Sequence, residues 1–299
     1  MTETALPPEC INVCICTFRR ASVLNAARSV DAQAGIDPIS VRLTIVDNDE
    51  TDTLRGTIAD FARELKLSVH YVHAPAKNIS IARNAALDSA DTDWLAFIDD
   101  DEIADENWLA NLVKHRDRAD VIVGPSQAVY ARGLPGWLSR CDFHSSAINI
   151  SPENAYTGNV LMNLKLVRQH AIRFREELGR TGGEDTVFFR ELAKRGARFA
   201  YEPDAAVREP VPEGRANMRW VRRRMYRAGQ THGLVCKTFD PGEFSRLWIK
   251  TPAKMGISVL MALVTLPGSD RSRKWEARAW LHAGALHYRI KPTILEEYG

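Results

Sequence analysis

The chain has 299 residues, 45% of them hydrophobic, and is long enough to bury a large core as one domain or one domain with an extension. Its net charge of +2 hides an asymmetry: residues 214–299 hold 16 Lys/Arg against 6 Asp/Glu, a tail at +10 behind a front at −8. That division gives no reason to expect a nucleic-acid partner; it suggests cation handling in front and an anionic surface or lipid behind.

The five cysteines are odd in number and scattered, so neither a zinc site nor a disulfide framework is expected, and a reducing cytoplasm fits. The opening "MTETALPPEC" has no basic or apolar leader region. No apolar run is expected to reach the ~18 residues that span a bilayer. The longest candidate, Met255 to Pro267, is too short.

"INVCICTF" reads as a buried strand and "RRASVLNAARSVDAQ" as a helix. "SVRLTIVDND" is a second strand, "TDTLRGTIADFARELK" an amphipathic helix, and "LSVHYVHAP" a third strand. "NISIARNAALDSA" is a helix and "DWLAFID" a fourth strand. This alternation predicts an α/β fold with a mostly parallel sheet between helices. Beyond Asp120, "ADVIVGPSQAVY" reads as one more strand pair and residues 131–163 as turn-rich and irregular. "GGEDTVFFRELAKRG" is a loop entering a helix, and "ARFAYEPDAAVREPVPEGR" holds closing strands. A boundary near Gly214 separates domain 1–213 from a basic, mainly helical extension, 214–299.

In open α/β sheets ligands sit beyond the carboxyl ends of the strands. Thr17–Arg20, Asp47–Asp49 and Asp99–Glu102 all fall there. Like charges this close repel and raise one another's pKa, so a cation or bulk water must offset them. Extending the strand's period of two places Asp99 and Asp101 on one side and Asp100 on the other. Two such carboxylates can share a hard cation and leave positions for phosphate oxygens, which suits Mg²⁺ or Mn²⁺. The plain alternative is a solvated acidic turn capping the next helix.

"CICTFRR", "TIVDND", "SIARNAAL", "FIDDDE" and "GGEDTVFFRELAKRG" occur in that order. Together they resemble the family 2 inverting glycosyltransferases with the GT-A fold, especially bacterial exopolysaccharide glucosyltransferases of the succinoglycan type, over about residues 10–230. The resemblance implies that Phe18, beside Cys16, Thr17 and Arg20, lies against the nucleoside, and that Asp47 bonds the uracil or ribose. It implies that Arg83 contacts base or diphosphate, that Asp99 and Asp100 hold the ribose or back the metal, and that Asp101 ligates Mn²⁺ or Mg²⁺ directly. The alternatives are a cap or turn role for Asp47 and a helix-surface role for Arg83, paired with Asp88 or another acid.

The resemblance also implies that Asp185 is the base that takes the acceptor proton, with Glu184 positioning the acceptor; acids at a helix start are also favoured by its dipole. Many family members carry a His after the last core strand as a metal ligand. Here Arg208 and Glu209 stand there, which leaves Glu209 as the candidate. "YTGNVLMN" resembles the loop that meets donor sugar and acceptor, with Asn159 offering both donor and acceptor groups.

In the tail, Arg219, Arg223 and Arg227 form a stripe at helical spacing. "ANMRW" echoes the Q-x-x-R-W of processive family members with Ala216 in place of Gln, which argues against a polymerising synthase. The apolar stretch between Lys250/Lys254 and Arg271/Arg273/Lys274 is either a membrane-interface helix or a core helix. The expectation is thus an enzyme using a UDP-sugar and a lipid-linked saccharide acceptor, cytoplasmic and peripheral on the membrane. The rivals are a sugar-nucleotide nucleotidyltransferase, disfavoured because "CTFRR" lacks a Gly-rich phosphate loop, and a non-catalytic metal- or carbohydrate-binding module. Kinase, dehydrogenase and serine-hydrolase signatures are absent.

Overall fold

The computed structural model describes residues 10–146 and 155–296. The N-terminal nine residues and positions 147–154 of the turn-rich segment lie outside the described residues. The chain divides into two compact units. The first comprises residues up to 127, 145–180 and 184–209; the second comprises 128–144, 181–183 and 210 onward. The second unit therefore recruits two earlier pieces that no single boundary in sequence would separate.

The chain runs β1 (Cys10–Thr17), α1 (Val23–Asp31), β2 (Ser40–Asp47), α2 (Leu54–Ala62), β3 (Ser68–His73), α3 (Ile79–Ser89), β4 (Trp94–Ile98) and β5 (Ile103–Ala104). It continues with α4 (Trp108–Val113), β6 (Val121–Val123), β7 (Ser126–Val129), α5 (Trp137–Cys141), β8 (Asn159–Asn163), α6 (Leu164–Gln169), α7 (Glu184–Lys194), β9 (Phe199–Tyr201) and β10 (Val207–Pro210). Three long helices close it: α8 (Met218–Phe239), α9 (Pro241–Val264) and α10 (Asp270–Ile290).

A seven-stranded sheet has the order β3-β2-β1-β4-β8-β6-β9. β1 pairs in parallel with β2 and β4, while β8 runs antiparallel between β4 and β6. β1 is apolar on both sides because both faces are covered. Ile11, Val13 and Ile15 pack with α1 and α4, whereas Cys14 faces the layer holding Ala82, Phe174 and Phe188. The chain moves outward from β1 in two directions, to β2 and to β4, so a crevice opens at their carboxyl ends. Thr17 and Asp47 stand opposite each other in register there. The expected strand pair at 120–130 splits: β6 joins the large sheet, and β7 joins a small one ordered β5-β10-β7. Gly124 marks the break, where an added Cβ would lie 2.0 Å from the Ala205 carbonyl oxygen.

In the second unit α8 and α10 cross at glycines. A Cβ on Gly229 would meet Leu281 O at 1.9 Å, and one on Gly284 would meet Tyr226 O at 1.8 Å. Arg223 of the basic stripe donates to the Glu296 carbonyl at 2.9 Å. α9 corrects the expectation that no segment is long and apolar enough to span a bilayer. Asp240 caps it and Pro241 opens it, so the helix takes in the residues before Lys254 and carries Pro252 inside. By length and composition its 24 residues suffice to cross a membrane, and most of the helix is not buried. All five cysteines are free thiols.

Candidate active site

The acidic run does not continue β4. The strand ends at Ile98, and Glu102 N donates to Asp99 O at 3.2 Å, closing a turn. Side-chain alternation stops with the strand, which corrects the expected placement of Asp100 on the far side. Instead Asp100 and Asp101 converge on one guanidinium: Arg20 Nη1 lies 2.8 Å from Asp100 Oδ1 and 2.8 Å from Asp101 Oδ2. Thr17 Oγ1 donates to the other Asp100 oxygen at 2.7 Å. Burial pushes the Asp100 carboxyl upward, against the pull of Arg20 and Thr17. Phe18 carries the Arg19 guanidinium over its ring at 5.0 Å.

Asp99 turns instead toward Arg83, whose Nη2 is 3.8 Å away. Its side chain is 47% exposed. Desolvation raises it to about 7, opposed by Arg83 and reinforced by Asp101, Asp100 and Glu209. Solvent on its open side limits how far that rise goes. Glu102 is buried, accepts from Ser126 Oγ at 2.6 Å and from Asp99 N at 3.1 Å, and is pushed well up by burial and by Asp99. Gly158 makes room for both acids: a Cβ there would lie 3.0 Å from Asp99 Oδ2 and 3.1 Å from Glu102 Oε2. The charge of Glu209, on β10, acts on Asp99 and Glu102 alike.

Asp99, Asp101, Glu102 and Glu209 offer only oxygen donors, which suits Mg²⁺ or Mn²⁺. Among the described residues no three Asp, Glu, His or Cys side chains close into a ready metal cage. Asp101 faces Arg20 while Asp99 faces Arg83. That fits an ion held by one or two carboxylates together with substrate phosphates, not one held by protein alone.

At the neighbouring strand end Asp47 is 1% exposed. Its Oδ1 accepts from Asp49 N at 2.9 Å and its Oδ2 from the Tyr71 hydroxyl at 2.7 Å. Tyr71 also lies 2.8 Å from Asp52 Oδ1; burial and these two acids raise its pKa. Tyr71 was missed by sequence reasoning, although its place on β3, level with Ile45 on β2, points it to this edge.

Arg83, on α3, is 6% exposed and forms an ion pair with Glu184, the first residue of α7, with its guanidinium over the Phe174 ring. Asp88, its alternative surface partner, is taken by Arg173. Burial works to lower the Arg83 pKa, but Glu184, Asp99 and Asp185 outweigh it and the net shift is upward. Glu184 is raised to about 7 by burial, opposed by Arg83, and its Oε2 is buried with no partner. Asp185 is half-buried, and its Oδ1 accepts from Thr186 N at 2.6 Å. Gly182 and Gly183, at φ 80° and 88°, supply the left-handed backbone that leads into this helix. Arg83 thus joins the acidic turn to the head of α7, a link across 101 positions that no local pattern announces.

Asn159 is a correction. It is fully buried, accepts from Trp108 Nε1 at 2.7 Å, and donates to Pro125 O and Ala205 O at 2.9 and 2.7 Å. Its groups are satisfied inside the protein, where they tie Trp108 to the backbone at Pro125 and Ala205, and none faces the crevice surface expected for a sugar contact.

A model of glycosyl transferase family 2 matches residues 12–174. The chain is 34% identical over 296 residues to the succinoglycan biosynthesis protein ExoM of Rhizobium meliloti (strain 1021), covering 97% of this chain and 96% of that protein. It is 27% identical to a pre-mycofactocin glycosyltransferase of Mycobacterium tuberculosis over 64% of this chain and 44% of that one. Among solved structures, the mannosyltransferase PcManGT from Pyrobaculum calidifontis, in complex with GDP-Man and Mn²⁺, superposes with a TM-score of 0.64 at 18% identity, covering 95% of this chain and 87% of that one. S. aureus TarS 1–349, in complex with UDP-GlcNAc, gives 0.53 at 16% identity, with 94% and 91% covered.

Proposed function

The chain belongs to glycosyl transferase family 2, and from that premise we propose that it transfers a sugar from a UDP-sugar, glucose foremost, with inversion, to a lipid-linked saccharide in exopolysaccharide synthesis at the cytoplasmic membrane face. The observation that carries this reading is the meeting of the β1 and β4 ends with the head of α7. Family membership and the missing Gly-rich loop set aside a nucleotidyltransferase.

Phe18, Asp47 and Tyr71 stand where a nucleoside would lie against the β1 and β2 ends. Thr17 and Arg20 hold Asp100 and Asp101 in place, and Arg20 adds positive charge where a diphosphate would lie. Asp101, with Asp99 and Glu209 near it, would hold Mg²⁺ or Mn²⁺, which when bound supplies Lewis-acid neutralisation of the leaving diphosphate. The Asp185 carboxylate takes the proton of the acceptor hydroxyl. The acceptor oxygen bonds to the anomeric carbon as the bond from that carbon to the diphosphate oxygen breaks, and UDP leaves with the electron pair. A single displacement inverts the centre.

Release of UDP from a panel of UDP-sugars, with Mn²⁺ or Mg²⁺, tests the reading. Asp101→Asn is expected to abolish release, and Asp185→Asn to abolish transfer while sparing UDP binding. Normal transfer by Asp185→Asn overturns the base assignment, and no turnover of any UDP-sugar overturns the donor class.

A further inference from the structure

α9 turns two different faces outward and inward. Leu247, Thr251 and Ser258, at the spacing of one helix face, are its buried residues. On the other side Ile249 is 79% exposed, Leu260 59% and Leu263 72%. The apolar surface continues off the helix end through Val264 and Leu266, the latter 78% exposed. This tip of the α9–α10 hairpin lies next to Arg271 and Lys274, while Lys254, further back along α9, is turned toward His282 of α10. The acids of these two helices are already paired: Glu243 with Arg246 and Lys250, Asp270 with Arg140, and Glu276 with Arg222. Lys254 and Arg271 make no ion pair among the described residues.

We propose that this face of the α9–α10 hairpin docks on an anionic lipid bilayer, with Leu263, Val264 and Leu266 in the acyl boundary and Arg271 and Lys274 among the headgroup phosphates. Charge complementarity selects this occupant. A second copy of the chain would set the same uncompensated cations against one another, which disfavours association. A fully spanning helix would be apolar all round, whereas α9 carries Arg246, Lys250 and Lys254 and turns Thr251 and Ser258 inward. An apolar face edged by Lys and Arg is the pattern of a helix lying in the interface. The proposal deepens the membrane part of the reading above but needs no sugar chemistry.

The test is flotation of the full chain with vesicles of phosphatidylcholine, with and without phosphatidylglycerol. Binding is expected only with phosphatidylglycerol and is expected to weaken with salt. Arg271→Gln with Lys274→Gln should lower partition roughly twentyfold at low salt. Leu263→Ser with Leu266→Ser should lower it by about tenfold or more. Unchanged helicity and UDP binding in both variants show that neither effect is unfolding. No binding to either vesicle, or binding that survives both variants, overturns the proposal. So does a dimer that the leucine variant dissociates without vesicle binding, or retention in cell membranes after an alkaline wash, which marks a spanning helix. Vesicle binding by a chain that turns over no UDP-sugar supports this face while refuting the catalytic reading alone.

Discussion

Replacing Arg83 by Met should separate stability from catalysis. Arg83 and Glu184 are 6% and 5% exposed, so removing the guanidinium leaves a buried carboxyl that burial already raises to about 7. Breaking one side of a buried pair costs about 3–5 kcal/mol. Replacing both sides by apolar residues is often close to neutral, so Arg83→Met with Glu184→Leu should recover most of that loss. Activity should not recover with it. The pair fixes the acidic turn against the head of α7, and a displacement of about 1 Å between reacting groups costs on the order of a hundredfold in rate. Urea denaturation would give the stabilities, calorimetry the UDP affinity, and single-turnover kinetics the transfer rate. The expected pattern is a low rate in both variants with UDP affinity unchanged. A fall in UDP affinity that matches the fall in kcat/KM would refute this reasoning and make Arg83 a nucleotide contact, as the motif resemblance implies.

Further outcomes follow from the same geometry. Asp99 and Glu184 bind protons in the folded chain at a pH where the unfolded chain has released them, so each contributes stability that is lost as pH rises from the ordinary carboxylate range to about 7. Without metal or nucleotide, urea midpoints should show that slope, and Asp99→Asn should make it shallower while leaving the part due to buried Glu184; an unchanged slope refutes the Asp99 assignment. Gly158→Ala pushes a methyl to 3.0 Å from Asp99 Oδ2. The carboxylate must then shift by a few tenths of an ångström, and turnover should fall, as measured on the purified variant. Asn159→Ala strips the partner from the buried Trp108 Nε1–H and from two carbonyls. It should cost about 2–4 kcal/mol in denaturation experiments without changing the donor KM at permissive temperature.

The layered α/β fold was legible because period and length separate its short buried strands from its amphipathic helices. The strand-end acids were legible too, since a parallel sheet exposes its ligand-facing residues at one edge. Their geometry was not: a strand's alternation ends where its ladder ends, and only the turn after Ile98 brings Asp100 and Asp101 onto Arg20. The pairing of Arg83 with Glu184 depends on packing between elements far apart in sequence. Asn159 was misjudged because exposure is a property of the fold, and an asparagine has the same donors and acceptors in a core as in a cleft. α9 was cut short at its charged half, although lysines on one side of a helix leave its length untouched.

The Arg20 bridge has a consequence for how fast the donor is captured. On the proposed reading a UDP-sugar would arrive as an anion, at a crevice edge that carries Asp99, Asp100, Asp101 and Glu209. One guanidinium held between two of those acids lowers the repulsion at closest approach, before any contact with the nucleoside is made. If the donor is such an anion, encounter would be the stage at which Arg20 matters most. Its loss would appear first as a slower association rate that quickens as salt screens the remaining acids, the reverse of what an arginine acting only as a tight grip would give.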